Sequence, residues 1–117
     1  MYNVHYASTH IVGTSGGNVD DMIESIDMMS KGLCDPSILV THIGGLDAAA
    51  EATLNLPKIP GGKKLIYTEI DMPLTAISDF EELGKTDPMF KKLHEITSKT
   101  KGLWNPEAEE FLLSYKK

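Results

Sequence analysis

The chain has 117 residues, of which 41% are hydrophobic and 24% charged, and its formal net charge is -6. This is one domain's worth of ordinary globular composition. The acidic balance, with no basic stripe, argues against a nucleic-acid backbone as partner, and no apolar run approaches the roughly 18 residues of a membrane-spanning helix.

The opening Met1-Tyr2-Asn3-Val4-His5 lacks the basic-then-apolar pattern of a signal peptide. Cys34 is the single cysteine, so no internal disulfide can form and a reducing cytoplasm is expected.

Val4 to Ser15 is rich in β-branched and aromatic residues and ends at Gly16-Gly17, which predicts a strand from Thr9 to Thr14. A helix follows. Asn18 suits the N-cap, and Asp20 and Asp21 suit the positive end of the helix dipole. Val19, Met22, Ile23, Ile26 and Met29 recur at helical spacing, which predicts one buried face, and Gly32 supplies the stop. Ile38 to His42, after Asp35-Pro36, reads as a short strand broken by Gly44-Gly45. Asp47 opens an alanine-rich helix to about Asn55. Pro57 to Gly62 is a loop by composition, and Lys63 to Ile70 is a strand with Leu65 and Tyr67 on one face and Ile66 on the other.

Beyond this point the pattern becomes helical. Pro73 to Leu83 holds a short helix ended by Gly84. Asp87-Pro88 pairs an N-cap with proline at the first helical position, and Asn105-Pro106 repeats the signal. Met89, Phe90, Leu93 and Ile96 form one apolar stripe, stopped at Gly102, and Ala108, Phe111, Leu112 and Tyr115 form another. The order expected is β-α-β-α-β followed by three helices, with no internal repeat.

The chemistry-bearing residues point to no complete active site. Zinc needs three or four converging ligands. His5 and His10 face opposite ways on one strand, and Cys34 and His42 lie on different elements, so satisfied or surface histidines and no metal are expected. Gly13-Thr14-Ser15-Gly16-Gly17 is neither G-x-G-x-x-G nor a P-loop. It reads as a strand-to-helix turn, although glycines beside a helix N-terminus can also hold an anion. Pro60-Gly61-Gly62-Lys63-Lys64 could touch a phosphate, or be a solvated loop entering a strand. Asp20, Glu24 and Asp27 read as a solvated helix face, since catalytic carboxylates need burial or a partner. No serine sits in a nucleophile elbow. Trp104 is expected to clasp the last two helices, with an exposed recognition role as the other reading.

Two runs carry a family resemblance: H-I-V-G-T-S-G-G-N-V-D-D-M-I-E-S-I-D-M-M-S-K-G-L at His10 to Leu33, and L-V-T-H-I-G-G-L-D-A-A-A-E-A at Leu39 to Ala52. Both resemble the last third of a medium-chain, zinc-type alcohol dehydrogenase. The runs N-L-P-K-I-P-G-G-K-K-L-I-Y, D-M-P-L-T-A-I-S-D-F-E-E-L-G-K-T-D-P and G-L-W-N-P-E-A-E-E-F-L-L are similar to the L-sorbose-1-phosphate reductase subgroup, which adds a helical tail.

The resemblance implies an α/β segment (α+β in isolation). Residues 1–17 would be the final strand and exit turn of a nucleotide-binding domain. Residues 18–70 would be the return that completes a GroES-like catalytic domain, and 71–117 a helical C-terminal extension. It implies that the backbone of Gly13, Thr14 and Ser15 meets the nicotinamide carboxamide of NAD(P), and that Lys64, or Lys63, meets the cofactor pyrophosphate. It assigns no catalytic residue and no zinc ligand to this segment, so NAD(P), zinc and a sugar phosphate would be bound by a longer enzyme, and the segment alone would be inactive. An autonomous binding or assembly module of the same fold is the alternative. The unpaired strand near Thr9 to Thr14, rich in Ile11 and Val12, is expected to form a homodimer or to exchange strands with another copy.

Overall fold

A computed structural model describes residues 16–116. The described chain is mixed α/β, with five α-helices and one three-stranded sheet. It divides into two compact units, Met1–Cys34 and Asp35–Lys117. The strand expected at Thr9 to Thr14 lies outside the described residues.

In the first unit, helix α1 spans Val19–Ser30. Its start is a reciprocal capping box: the Asn18 side chain accepts from the Asp21 amide at 3.0 Å, and the Asp21 carboxylate accepts from the Asn18 amide at 2.8 Å. Gly32, with φ of +69°, follows the C-terminus as the sequence suggests. The buried face does not materialise, because no residue of α1 is buried.

The second unit opens with a 3-10 turn, Pro36–Leu39, whose Asp35 carboxylate accepts from the Ser37 amide at 3.0 Å. This turn takes up the start of the expected strand, so β1 begins later and spans Val40–Gly45. Gly44 and Gly45 continue the strand instead of breaking it, because the segment Ile70–Met72 crosses directly over Gly45 and Leu74 passes close to Gly44. The Gly45 amide donates to Met72 O at 2.8 Å, and a Cβ on Gly45 would stand 2.3 Å from Ile70 O and 2.5 Å from Met72 N. The Met72 amide donates to the Asp47 carboxylate at 2.9 Å, which fixes the same crossing from the other side.

Helix α2 spans Ala49–Asn55 and β2 spans Lys63–Tyr67. The β1-α2-β2 crossover makes β1 and β2 parallel, with Ile43 opposite Leu65. The short helix expected within Pro73 to Leu83 stands at the end of that stretch, after two other pieces. Thr75–Ala76 forms β3, antiparallel to β1 with His42 opposite Ala76. A 3-10 turn follows at Ile77–Asp79, then helix α3 at Phe80–Leu83. The sheet order is β2-β1-β3.

Helices α4, Pro88–Ser98, and α5, Pro106–Lys116, start where their Asx-Pro signals stand. Asp87 accepts from the Met89 amide at 2.8 Å, and Asn105 accepts from the Ala108 amide at 2.9 Å. Their apolar stripes close one core with the sheet: Ile43, Met72, Phe80, Leu93, Trp104, Ala108 and Leu112 belong to a single buried cluster. The helices beyond residue 70 share this core. They cover the sheet that the preceding residues begin, and Thr75–Ala76 supplies its third strand. Trp104 is buried and packs edge-on against Phe80, with ring centroids 6.4 Å apart. It thus clasps strand and helix together, as well as the last two helices.

Candidate functional site

The β1–β3 pairing sets His42 over the 3-10 turn that follows β3, and a cleft of about 790 Å³ opens there. Val40 and Ile77 supply apolar walls, and Thr41, His42, Asp79, His94 and Ser98 supply polar groups. His42 also borders a second cleft of about 720 Å³, shared with Asp47, Glu51, Asn55 and Asp79. It is half-buried, and its Nδ1 lies 2.9 Å from Thr41 Oγ1. Burial chiefly, then the Lys64 charge, pulls its pKa below the ordinary 6.5, while the Asp79 carboxylate works in the opposite direction. His42 is therefore held toward the neutral imidazole, able to accept or donate one hydrogen bond at a cleft wall.

Lys64 takes an unexpected position. Its ammonium donates to the carbonyls of Pro60, Gly61 and Gly62 at 3.1, 3.3 and 2.8 Å. The turn can present these oxygens together because Gly61 has φ of +91°, and because Gly62 passes so close to Leu39 O that a Cβ would stand 2.3 Å from it. Lys64 thus ties down the loop before its own strand, while Lys63, one residue earlier, is exposed.

A third constellation lies inside the fold. Tyr67 donates to the Glu109 carboxylate at 2.5 Å and accepts from the Trp104 indole at 3.0 Å. Burial and the adjacent carboxylate push the Tyr67 phenol well above its usual value of 10.0. A phenol kept protonated and saturated with partners is a structural joint, not an acid–base catalyst.

Gly13, Thr14 and Ser15, together with His5 and His10, lie outside the described residues, so of the expected cofactor positions only Lys64 has its surroundings defined. Cys34 is exposed. Among the described residues no three His, Cys, Asp or Glu side chains are grouped to hold a metal ion. These residues do not fit a zinc site. The His42–Asp79 cleft was not singled out from the sequence, because the two residues are linked only through the antiparallel pairing of a two-residue strand. No local motif announces that pairing. Among the described residues no helix is long and apolar enough to cross a membrane.

Along nearly all of its length the chain is homologous to a segment of larger proteins, two of which are named as sugar-phosphate oxidoreductases. It is 54% identical over 115 residues to mannitol-1-phosphate 5-dehydrogenase of Aliivibrio fischeri, covering 98% of this chain and 27% of that protein. It is 46% identical over 115 residues to L-sorbose 1-phosphate reductase of Klebsiella pneumoniae, covering 98% of this chain and 26% of that protein. It is 62% identical over 114 residues to uncharacterized protein YggP of Escherichia coli K12, covering 97% and 27%. The chain thus spans about a quarter of the length of the curated relatives it matches. No family profile and no solved structure matches it.

Proposed function

We propose that this chain is a segment of an NAD(P)-dependent, zinc-type oxidoreductase that transfers hydride between NAD(P)H and the carbonyl of a ketose phosphate. The observation that carries this reading is the 54% and 46% identity, spread over 98% of the chain, to proteins named as a dehydrogenase and a reductase of sugar phosphates. On this reading residues 1–17 end a nucleotide-binding domain, 18–70 complete a catalytic domain, and 71–117 form a helical extension.

The backbone of Gly13, Thr14 and Ser15 would meet the nicotinamide carboxamide. Near the pyrophosphate, Lys64 would first have to release three carbonyl oxygens, which makes exposed Lys63 the readier cation. When bound, zinc would polarise the substrate carbonyl. Its ligands would come from outside the described residues, so no step of this chain's own chemistry passes through the metal. The isolated segment would turn over no substrate. It would act in the reducing cytoplasm as part of a homodimer, through the strand near Thr9 to Thr14.

One observation favours a second reading, an autonomous binding or assembly module. The unit Asp35–Lys117 carries a complete buried core of its own, from Ile43 to Leu112. The intact mass of the protein from its source cells separates the two. A mass near 12.8 kDa supports the module. A mass about fourfold larger, matching the length of the relatives, supports the enzyme, and zinc content and sugar-phosphate reductase activity then test it.

A further inference from the structure

The Lys64 ammonium is coordinated by backbone oxygens alone. It donates to Pro60 O at 3.1 Å, Gly61 O at 3.3 Å and Gly62 O at 2.8 Å, so its donors meet an equal number of acceptors. The ion pairs among the described residues join Lys31 to Asp27, Lys85 to Glu82, Lys92 to Glu95 and Lys99 to Glu107, and none includes Lys64. The charge of a half-buried side chain is thus balanced by neutral dipoles. Clustered carbonyls that replace a hydration shell are also how potassium-selective pores hold their ion.

Three consecutive carbonyls converge here because the turn is bent and walled in. Gly61 takes φ of +91°. A Cβ on Gly61 would stand 2.8 Å from Thr41 Oγ1, and one on Gly62 would stand 2.3 Å from Leu39 O. Both walls belong to β1 and the residue before it, so they gather the oxygens without help from Lys64. Spacing and charge then set the kind of ion. Oxygens at 2.8 to 3.3 Å from the nitrogen suit an ammonium group. They stand beyond the roughly 2.0–2.1 Å and 2.3–2.6 Å that magnesium and calcium require, and no carboxylate pairs there to offset a second charge.

We infer that the Pro60–Gly62 turn is a cradle for a monovalent cation of ammonium or potassium size, which Lys64 fills from within the chain and a free ion fills when that side chain is cut back. Pro60 and Gly61 line the cleft beside His42, and the Thr41 hydroxyl that backs Gly61 lies 2.9 Å from His42 Nδ1. The cation, tethered or free, therefore fixes one wall of that cleft.

Two measurements on the full chain test this. In the wild type, NMR should find the Lys64 ammonium protons exchanging with water at least about tenfold more slowly than those of exposed Lys63, because hydrogen bonds hold them. Equal exchange at the two lysines overturns the cradle. In Lys64→Ala, the urea midpoint should fall in tetramethylammonium chloride. Ammonium or potassium chloride at the same ionic strength should restore at least about half of the loss, along a saturating curve. The Gly61 and Gly62 amide resonances should move along the same curve. The wild type, whose cradle is filled, and Lys64→Met, whose stem still occupies it without a charge, should show no such choice between cations. An equal response in all three proteins is a general salt effect and overturns the inference, as does a Lys64→Ala chain indifferent to the cation. If Lys64→Ala is unfolded in tetramethylammonium, refolding on transfer to ammonium supports the cradle, and failure to refold in either salt overturns it.

Discussion

Tyr67 and Glu109 are joined by a 2.5 Å hydrogen bond across 42 positions of sequence, from the end of β2 to the first half of α5. With the Trp104 indole donating to the same phenol at 3.0 Å, this bond locks the C-terminal helix to the sheet. Tyr67→Phe removes both bonds and leaves a carboxylate and an indole N–H without their partner. The expected cost is about 2 kcal/mol, the range for stranding partly buried polar groups, measured by urea unfolding followed through Trp104 fluorescence. A wild-type midpoint in the variant would show that the joint contributes nothing.

The same joint predicts an alkaline limit to stability. The folded state raises the Tyr67 pKa above 10.0, because burial and Glu109 disfavour the phenolate. The native chain therefore keeps a proton that the unfolded chain gives up, and this contribution is fully present below about pH 10 and declines as pH rises above it. The unfolding midpoint should drop above pH 10, and more steeply in the wild type than in Tyr67→Phe. Equal slopes in the two proteins would refute the assignment.

His42 gives the opposite sign at acid pH. Its lowered pKa means that the unfolded chain takes up a proton before the folded chain does. Its contribution is fully present above about 6.5 and is lost as pH falls through the depressed folded value. Asp79→Asn removes the one opposing influence, so the His42 imidazole resonances should titrate at still lower pH in that variant. An NMR titration in which the His42 midpoint rises, or stays where it was, would contradict the arrangement of the cleft.

Gly45→Ala should cost about 3 kcal/mol, the upper range for forcing atoms into filled space. The new methyl would stand 2.3 Å from Ile70 O, and neither side is a flexible side-chain tip that could yield. Thermal unfolding of the variant would register this, and a change within 0.5 °C, in order of magnitude no effect at all, would mean that the crossing segment is not held there.

Leu112→Ala opens a cavity in a fully buried site shared by the sheet and the last two helices. A loss of about 3 kcal/mol is expected, with β-sheet and helix signals melting together in circular dichroism. Separate transitions would show that residues 71–117 fold independently of β1 and β2.

How far the sequence revealed this fold varies from residue to residue. Asn18, Asp87-Pro88 and Asn105-Pro106 marked three helix starts correctly, because each cap is a local exchange between a side chain and an amide two or three residues on. The strand read from Lys63 to Ile70 was legible by its alternation, but it ends at Tyr67. Gly44-Gly45 misled, since the same dipeptide serves a turn or a strand under a crossing backbone, and only the tertiary partners, Leu74 at Gly44 and Ile70–Met72 at Gly45, distinguish them. Thr75–Ala76 is too short to carry a pattern, and the His42–Asp79 cleft was hidden with it. The α1 stripe was legible as an apolar face by its spacing, although the structure buries none of its residues. The family resemblance was the most legible feature, because it rests on runs of identity and not on periodicity.

The core also sets an order of events during synthesis. Ile43 is made early and Leu112 late, yet both belong to one buried cluster, and the Tyr67 phenol finds Glu109 only after α5 exists. The parallel β1–β2 pair therefore leaves the ribosome with its inner face bare. It stays so while α3, α4 and the Trp104 turn follow, a nascent stage whose bare apolar surface is prone to aggregation until the last helix closes over it.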